Sequence, residues 1–586
     1  MCHTLFHRFW QGFYIHLLLV VLTSMLPAWA RLPPDPNLYL YISPTTQRYL
    51  QSQKQLYEHN TKRWHAHLKK YANQAHTIQR EQLLGGLPTG TLILPNSIAL
   101  DNEERQAIQH FVAKGGNLLG SGLIGSRNAQ GEYVGLDFLQ STFHVQAHGF
   151  FPQTDDSFFM PFGDSPVTWP LPAGRRMPLL SAKDTVLRIK ADHEASVGMD
   201  WSRSMDTQAN GLMAYNEIGA SRLVYFSFPD MAWPYNLDVQ LVMDASLAWL
   251  RREPVAFKSA WPNGYLASHL IEMDTEDKFP TAVRLAEQLE SEGLRGTFYC
   301  LTSEAARAPK LVQDLMKRGH EIAYHADVHF GFNGDSSGEQ ELRILFMKQQ
   351  LQASLGERTV EATGFRAPTE SYDATTELLL HKHGILHHAA DESASEDRLP
   401  FFSDAGGKTS ADKALVVLPR TQRDDINFQK LQFNQEMVSA NLLYDLDLTV
   451  RSGAFSLLSV HSQNYVNGGL MLQPMKDYVQ KAATYKDRLW IARGDEITTW
   501  WRKRERVNVA QKMRGSRLLI SVQSPIDVPG LSVFVTLPHK NAVMRLADAS
   551  NSALVRVKPI DAFRSALVFD KLASGQSLLN VTFDAD

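Results

Sequence analysis

Between residues 37 and 250, apolar runs alternate with amphipathic stretches in a strand-and-helix rhythm. "NLYLYIS" reads as a buried strand, "TQRYLQSQKQLYEHNTKRWHAHLKKYA" as a long amphipathic helix, and "GTLILPNS" as a second apolar strand. "ALDNEERQAIQHFVAKGG" carries both end signals of a helix, with Asp101 and Glu104 spaced as a capping box and Gly115-Gly116 at the stop. "NLLGSG" and "RLVYFSF" add further buried strands, so the pattern predicts a doubly wound α/β domain over 31–255. A connection bearing Pro and Trp, "WLRREPVAFKSAWPNG", leads into a second α/β segment over 262–505. Beyond it, "RLLISVQS", "LSVFVTLP", "ALVRVKP", "SALVFDKL" and "SLLNVTF" are short apolar runs separated by turn residues, which predicts a small β-sandwich over 506–586.

Composition changes this picture little. Hydrophobic residues at 44% and charged residues at 21% describe an ordinary globular chain whose 586 residues are too many for one core. The net charge of −3 gives nucleic acid and other polyanions nothing to bind. The first 30 residues matter more. Arg8 precedes the apolar run at 16–22, and Ala28-Trp-Ala30 has the small-x-small form read by signal peptidase. A run this short does not span a bilayer, so we expect export to the periplasm or beyond, cleavage after Ala30, and no stable membrane span afterwards. Cleavage would leave Cys300 as the sole cysteine, in the apolar "GTFYCL", where it reads as a small buried hydrophobe.

Candidate chemistry gathers in the second segment. "GHEIAYHADVHFGF" places His325 and His329 four residues apart, a spacing that on a helical turn brings two imidazoles to one face and lets them share a cation. "YLASHLIEMDTEDKF" is an apolar strand ending in Asp274, Glu276 and Asp277, and a helix and second strand follow it. The acids therefore lie at the C-terminal end of a parallel strand, where such sheets bind ligands. His320 and Asp327 read as structural or surface residues. Trp500 and Trp501 in "WWRKRER" read as an anchor at a domain junction, with a sugar-stacking platform as the alternative.

The order of the acidic strand end, "TFY", "LVQDLMKRGHEIAYHADVH", "GFRAPTESYD", "ILHHAADES" and "LLSVHSQNY" resembles the NodB-homology polysaccharide deacetylases, carbohydrate esterase family 4. The resemblance covers about 262–500 and implies a distorted (β/α) barrel. It further implies a divalent metal, Zn2+ foremost, held by Glu276, His325 and His329, with Asp277 the other candidate carboxylate. Asp274 matches the catalytic base, Arg366 its partner, His461 the acid, and Asp391 the acidic residue that supports that histidine. Ala326 stands where Ser or Thr is usual, and no Trp follows Asp391. The implied activity is hydrolysis of N-acetyl groups on a polysaccharide, with other exopolysaccharide or cell-envelope proteins as candidate partners. The alternative is a catalytically inactive carbohydrate-binding or assembly protein on the same fold. The stretch "TLILPNSIALDNEERQAIQHFVAKGGNLLGSG" resembles class I glutamine-amidotransferase-like domains. Residues 31–299 contain no cysteine, and Ser121 lacks a Gly-x-Ser-x-Gly elbow, so that domain is expected to be non-catalytic.

Overall fold

The computed structural model describes residues 37–55, 57–71, 73–151, 157–163, 165–178, 186–200, 210–228, 237–356, 361–390, 397–405, 414–550 and 554–584. The expected leader and Asp391 both lie outside these residues.

The first sheet opens with parallel strands in the order Ala75–Ile78, Leu38–Tyr41, Thr91–Leu94, Asn117–Ser121, Ser221–Phe226. Every residue of the last four is buried, as a parallel sheet covered on both faces requires. The helix Asn102–Ala113 begins at the capping box of Asp101 and Glu104, and Glu104 also accepts a hydrogen bond from Ser43 Oγ at 2.6 Å. Beyond Ser221–Phe226 the sheet departs from a doubly wound pattern. Gly211–Ile218 returns antiparallel through a turn at Gly219, and Glu194–Asp200, Ser157–Pro161 and Met177–Pro178 continue antiparallel. A fully buried antiparallel strand and a parallel one carry the same continuous apolar run, so the pattern alone could not separate them.

The central sheet runs Phe401–Phe402, Val416–Pro419, His387–Ala390, Gly364–Arg366, Glu321–Tyr324, Thr297–Cys300, Ala267–Thr275, Phe455–His461, with Leu489–Ile491 beside Ala267–Thr275. All neighbours are parallel except the first pair. The sheet curls into a half-barrel whose two ends approach: Gln422 N donates to the Leu457 carbonyl at 3.3 Å, and Leu457 N to Thr421 Oγ1 at 3.2 Å. Ala267, Ile271 and Met273 face the helices outside, whereas Leu270, Glu272 and Asp274 face the interior, following the two-residue alternation of a strand.

The C-terminal sandwich has four-stranded sheets on its two sides. One of them contains Ala256–Lys258, paired antiparallel with Ser532–Thr536, so the stretch read as a connection supplies a strand. Trp261, with no exposed surface, lies with ring centroids 5.9 Å from Trp501 and 6.3 Å from Phe455. Trp500 is buried too and donates Nε1–H to the Ala260 carbonyl at 2.8 Å, which leaves no exposed platform for a sugar. This tryptophan cluster joins barrel and sandwich in one apolar core.

Candidate active site

Four parallel strands end at the same rim of the half-barrel and present the chemistry there. In register, Asp274 lies beside Tyr299 on one neighbouring strand and His461 on the other. Glu276 follows the end of its strand by one residue, and its Oε1 lies 3.3 Å from His325 Nε2 and 2.6 Å from His329 Nε2. Asp277 is exposed and outside the clustered ligand atoms, and its backbone carbonyl accepts from Ser462 Oγ.

The two histidines meet without a helix. Residues 325–332 form a loop in which Ala326 takes φ 101°, a backbone region costly for any residue but glycine. The cause is local: the strand stops at Tyr324, the chain must turn outward over the rim, and the Ala326 carbonyl is held by Thr302 N at 2.9 Å. Arg343 ties the far side of the loop, bonding Asp327 at 3.0 Å and the carbonyls of Gly331 and Phe330 at 2.7 and 2.8 Å. The imidazole centroids end 5.5 Å apart.

This donor set suits a divalent cation. The ligand-type atoms of Glu276, His325 and His329 lie within 4.8 Å of one another. His325 Nδ1–H donates to the Arg366 carbonyl at 3.1 Å, which turns Nε2 towards Glu276, the ring orientation a metal ligand needs. Gln463 Nε2 donates to Glu276 Oε2 at 2.9 Å and sets that carboxylate from behind. Burial works against ionisation of Glu276, but the two imidazoles and the His461 charge outweigh it and hold its carboxyl far below the ordinary value.

Asp274, 2% exposed, accepts from Arg366 Nε at 2.8 Å. Behind it, Arg366 Nη2 bonds Glu370 at 3.1 Å, and Arg420 grips the same carboxylate at 2.6 and 2.9 Å. Burial opposes ionisation of Glu370, yet the two arginines bring it down to about 2. Thr369 and Glu370 both sit at positive φ, 54° and 53°, a strained turn that aims the carboxylate between the guanidiniums.

His461 Nε2 lies 3.7 Å from Asp274 Oδ2. Its Nδ1 is 2.5 Å from Asp425 Oδ1, and Asp425 Oδ2 accepts from His461 N and Asn464 Nδ2, both at 2.8 Å. Burial would lower the imidazole, but the Asp425 charge and hydrogen bond, aided by Asp274 and Glu276, lift it to about 10. Among the described residues the support for His461 comes from Asp425, at the start of the helix Asp425–Lys430. The sequence signal for it was faint: adjacent acids at a helix N-terminus, which normally read as a cap. Asp424 is in fact that cap, accepting from Asn427 N.

The remaining residues singled out from the sequence have structural settings. His320 Nε2 meets Glu290 at 2.9 Å and its Nδ1 accepts from Gly296 N at 3.1 Å. Cys300 is buried without exposure, and burial pushes its thiol up to about 12. Among the described residues no helix is long and apolar enough to cross a membrane.

Residues 275–387 match the family model described as polysaccharide deacetylase. The matched span includes Glu276, His325, His329 and Arg366, and stops short of Asp274 on one side and Asp425 and His461 on the other. No curated protein matched the chain. Among solved structures, it is similar to a Mycobacterium smegmatis protein assigned as a polysaccharide deacetylase, at 19% identity over 42% of this chain and 94% of that one, with a TM-score of 0.36. A family 4 carbohydrate esterase from Streptomyces lividans, solved with acetate, is similar at 16% identity over 40% and 93% of the two chains, with a TM-score of 0.28. Puue allantoinase is similar at 16% identity over 41% and 92%, with a TM-score of 0.35.

Proposed function

We propose that the protein is an exported, metal-dependent polysaccharide deacetylase that hydrolyses N-acetyl groups of a glycan. The observation that carries this reading is the convergence of Glu276, His325 and His329 beside two acid–base pairs, Asp274–Arg366 and His461–Asp425. The match to the polysaccharide deacetylase family over residues 275–387 points the same way.

Glu276, His325 and His329 would hold a divalent ion, and Zn2+ fits their donor types. When bound, the ion would supply Lewis-acid polarisation of the acyl oxygen and of the attacking water. Asp274 takes the proton from that water as its oxygen attacks the acetyl carbon, and Arg366 orients the carboxylate through a charge-assisted hydrogen bond. His461 is the acid. With Nδ1–H committed to Asp425, its Nε2–H faces the site and is delivered to the amide nitrogen as the C–N bond breaks, giving acetate and a free sugar amine. The alternative of a catalytically inactive binder draws no support from a site in which both pairs are assembled.

Under the same reading, residues 1–30 are the export signal, 31–255 a non-catalytic amidotransferase-like scaffold, 262–505 the deacetylase domain and 506–586 a sandwich appended to it. Other exopolysaccharide or cell-envelope proteins are the candidate partners.

Acetate release from a panel of acetylated glycans, paired with elemental analysis of the purified protein, tests the proposal. Release that stops on chelation and returns with a divalent ion is expected. A protein that binds no divalent ion and releases no acetate from any glycan would overturn it.

A further inference from the structure

Glu272 has no part in the chemistry above, yet it lies directly beneath it. Strand alternation puts it on the interior face with Asp274, one layer deeper, beside Ser459 in register on the neighbouring strand. It has no exposed surface, and neither carboxyl oxygen accepts a hydrogen bond of good geometry from a described residue. Its nearest cation is the guanidinium that holds Asp274: Arg366 Nε is 2.8 Å from Asp274 Oδ2 and 3.4 Å from Glu272 Oε1. One N–H makes one strong hydrogen bond, and Asp274 has it.

The charges settle which acid carries a proton. Arg366 and Arg420 balance Asp274 and Glu370, and His461 balances Asp425. An ionised Glu272 would add an uncompensated charge to a dry interior, the costliest state for a carboxyl group. We propose that Glu272 is a positioning residue for Asp274: kept as the neutral acid, it leaves the Arg366 Nε–H to Asp274 and fixes the base from below. This rests on Asp274 being the base of the proposed deacetylase.

The direction of its titration agrees, since burial first and the Asp274 charge second push the Glu272 carboxyl well above the ordinary range, against Arg366. The groups that face it are Asp274 on its own strand, Tyr299 from the strand on one side, Ser459 and His461 from the other, and Arg366 from across the barrel. When Glu272 does ionise at alkaline pH, it competes for the same N–H and loosens Asp274.

Infrared spectroscopy of the full chain reads the proton without any substrate. The carbonyl stretch of a protonated carboxylic acid should be present at neutral pH and lose one component in Glu272→Gln. Glu321, buried and pushed up to about 7, contributes a component of its own that remains. Ser459→Ala should move the Glu272 component without removing it, which keeps the test available should Glu272→Gln fail to fold. In acetate-release assays, kcat should fall a few-fold in Glu272→Gln and at least tenfold in Glu272→Ala, with KM unchanged in both. The alkaline decline of the rate should lose its Glu272 part in the Gln variant. A wild-type spectrum with no component sensitive to Glu272→Gln or Ser459→Ala, or a Glu272→Gln enzyme as impaired as Asp274→Asn, would overturn the proposal. Absence of acetate release with the infrared component in place would instead count against the deacetylase reading alone.

Discussion

Replacing Asp425 by asparagine isolates one term of the proposed mechanism, because the substitution keeps the shape of a fully buried side chain and removes its charge. Asp425 sits 2.5 Å from His461 Nδ1 and is the main reason that the imidazole rises to about 10 against the pull of burial. The gap between about 10 and the ordinary 6.5 corresponds to roughly 5 kcal/mol in favour of the imidazolium. With asparagine in place the imidazole returns towards 6.5, where only about one molecule in thirty is protonated at pH 8. The alkaline limb of kcat/KM for acetate release should therefore move down by about three pH units, with a loss of roughly thirtyfold at pH 8. Nitrogen NMR of the His461 ring in chelator-treated protein should show the same displacement directly. The sign for stability follows from linkage: a raised histidine stabilises the fold fully below 6.5 and loses that contribution as pH rises through about 10. Urea unfolding of the wild type should weaken across that interval more than that of the variant. An Asp425→Asn protein whose alkaline limb and ring titration stay where the wild type has them would refute the role assigned to the pair.

Three further outcomes are expected. His329→Ala removes a side chain that is 40% exposed, so stability should stay within about 0.5 kcal/mol by denaturant unfolding while bound divalent ion and acetate release are lost. Gln463→Ala leaves Glu276 without its supporting donor and should weaken divalent-ion affinity by about tenfold or more in a competition titration. Trp261→Ala empties the centre of the tryptophan cluster and should cost about 3–5 kcal/mol, with the sandwich becoming sensitive to limited proteolysis.

The rim residues were legible because each of Asp274, Glu276, His325, Arg366 and His461 lies at or just beyond an apolar run, so strand ends and chemistry could be read together. The helical turn expected for His325 and His329 was not legible as a loop, since the spacing alone cannot reveal that Ala326 adopts a left-handed backbone. Asp425 escaped notice because its meeting with His461 spans 36 residues and arises only when the two ends of the half-barrel approach. Glu370 and Arg420, 50 residues apart, are hidden for the same reason. The antiparallel half of the first sheet and the strand Ala256–Lys258 depend on pairing partners that no local periodicity encodes.

The placement of Ala256–Lys258 in the last sheet has a consequence for how the chain is made. Its hydrogen-bond partner, Ser532–Thr536, emerges from the ribosome more than 270 residues later, after the whole barrel. During synthesis that early strand must wait for its partner, and the sheet that contains both is completed only once the last segment of the polypeptide has been made. A fragment beginning at 506 would lack one strand from the outset, and a fragment ending at 505 would leave an open edge.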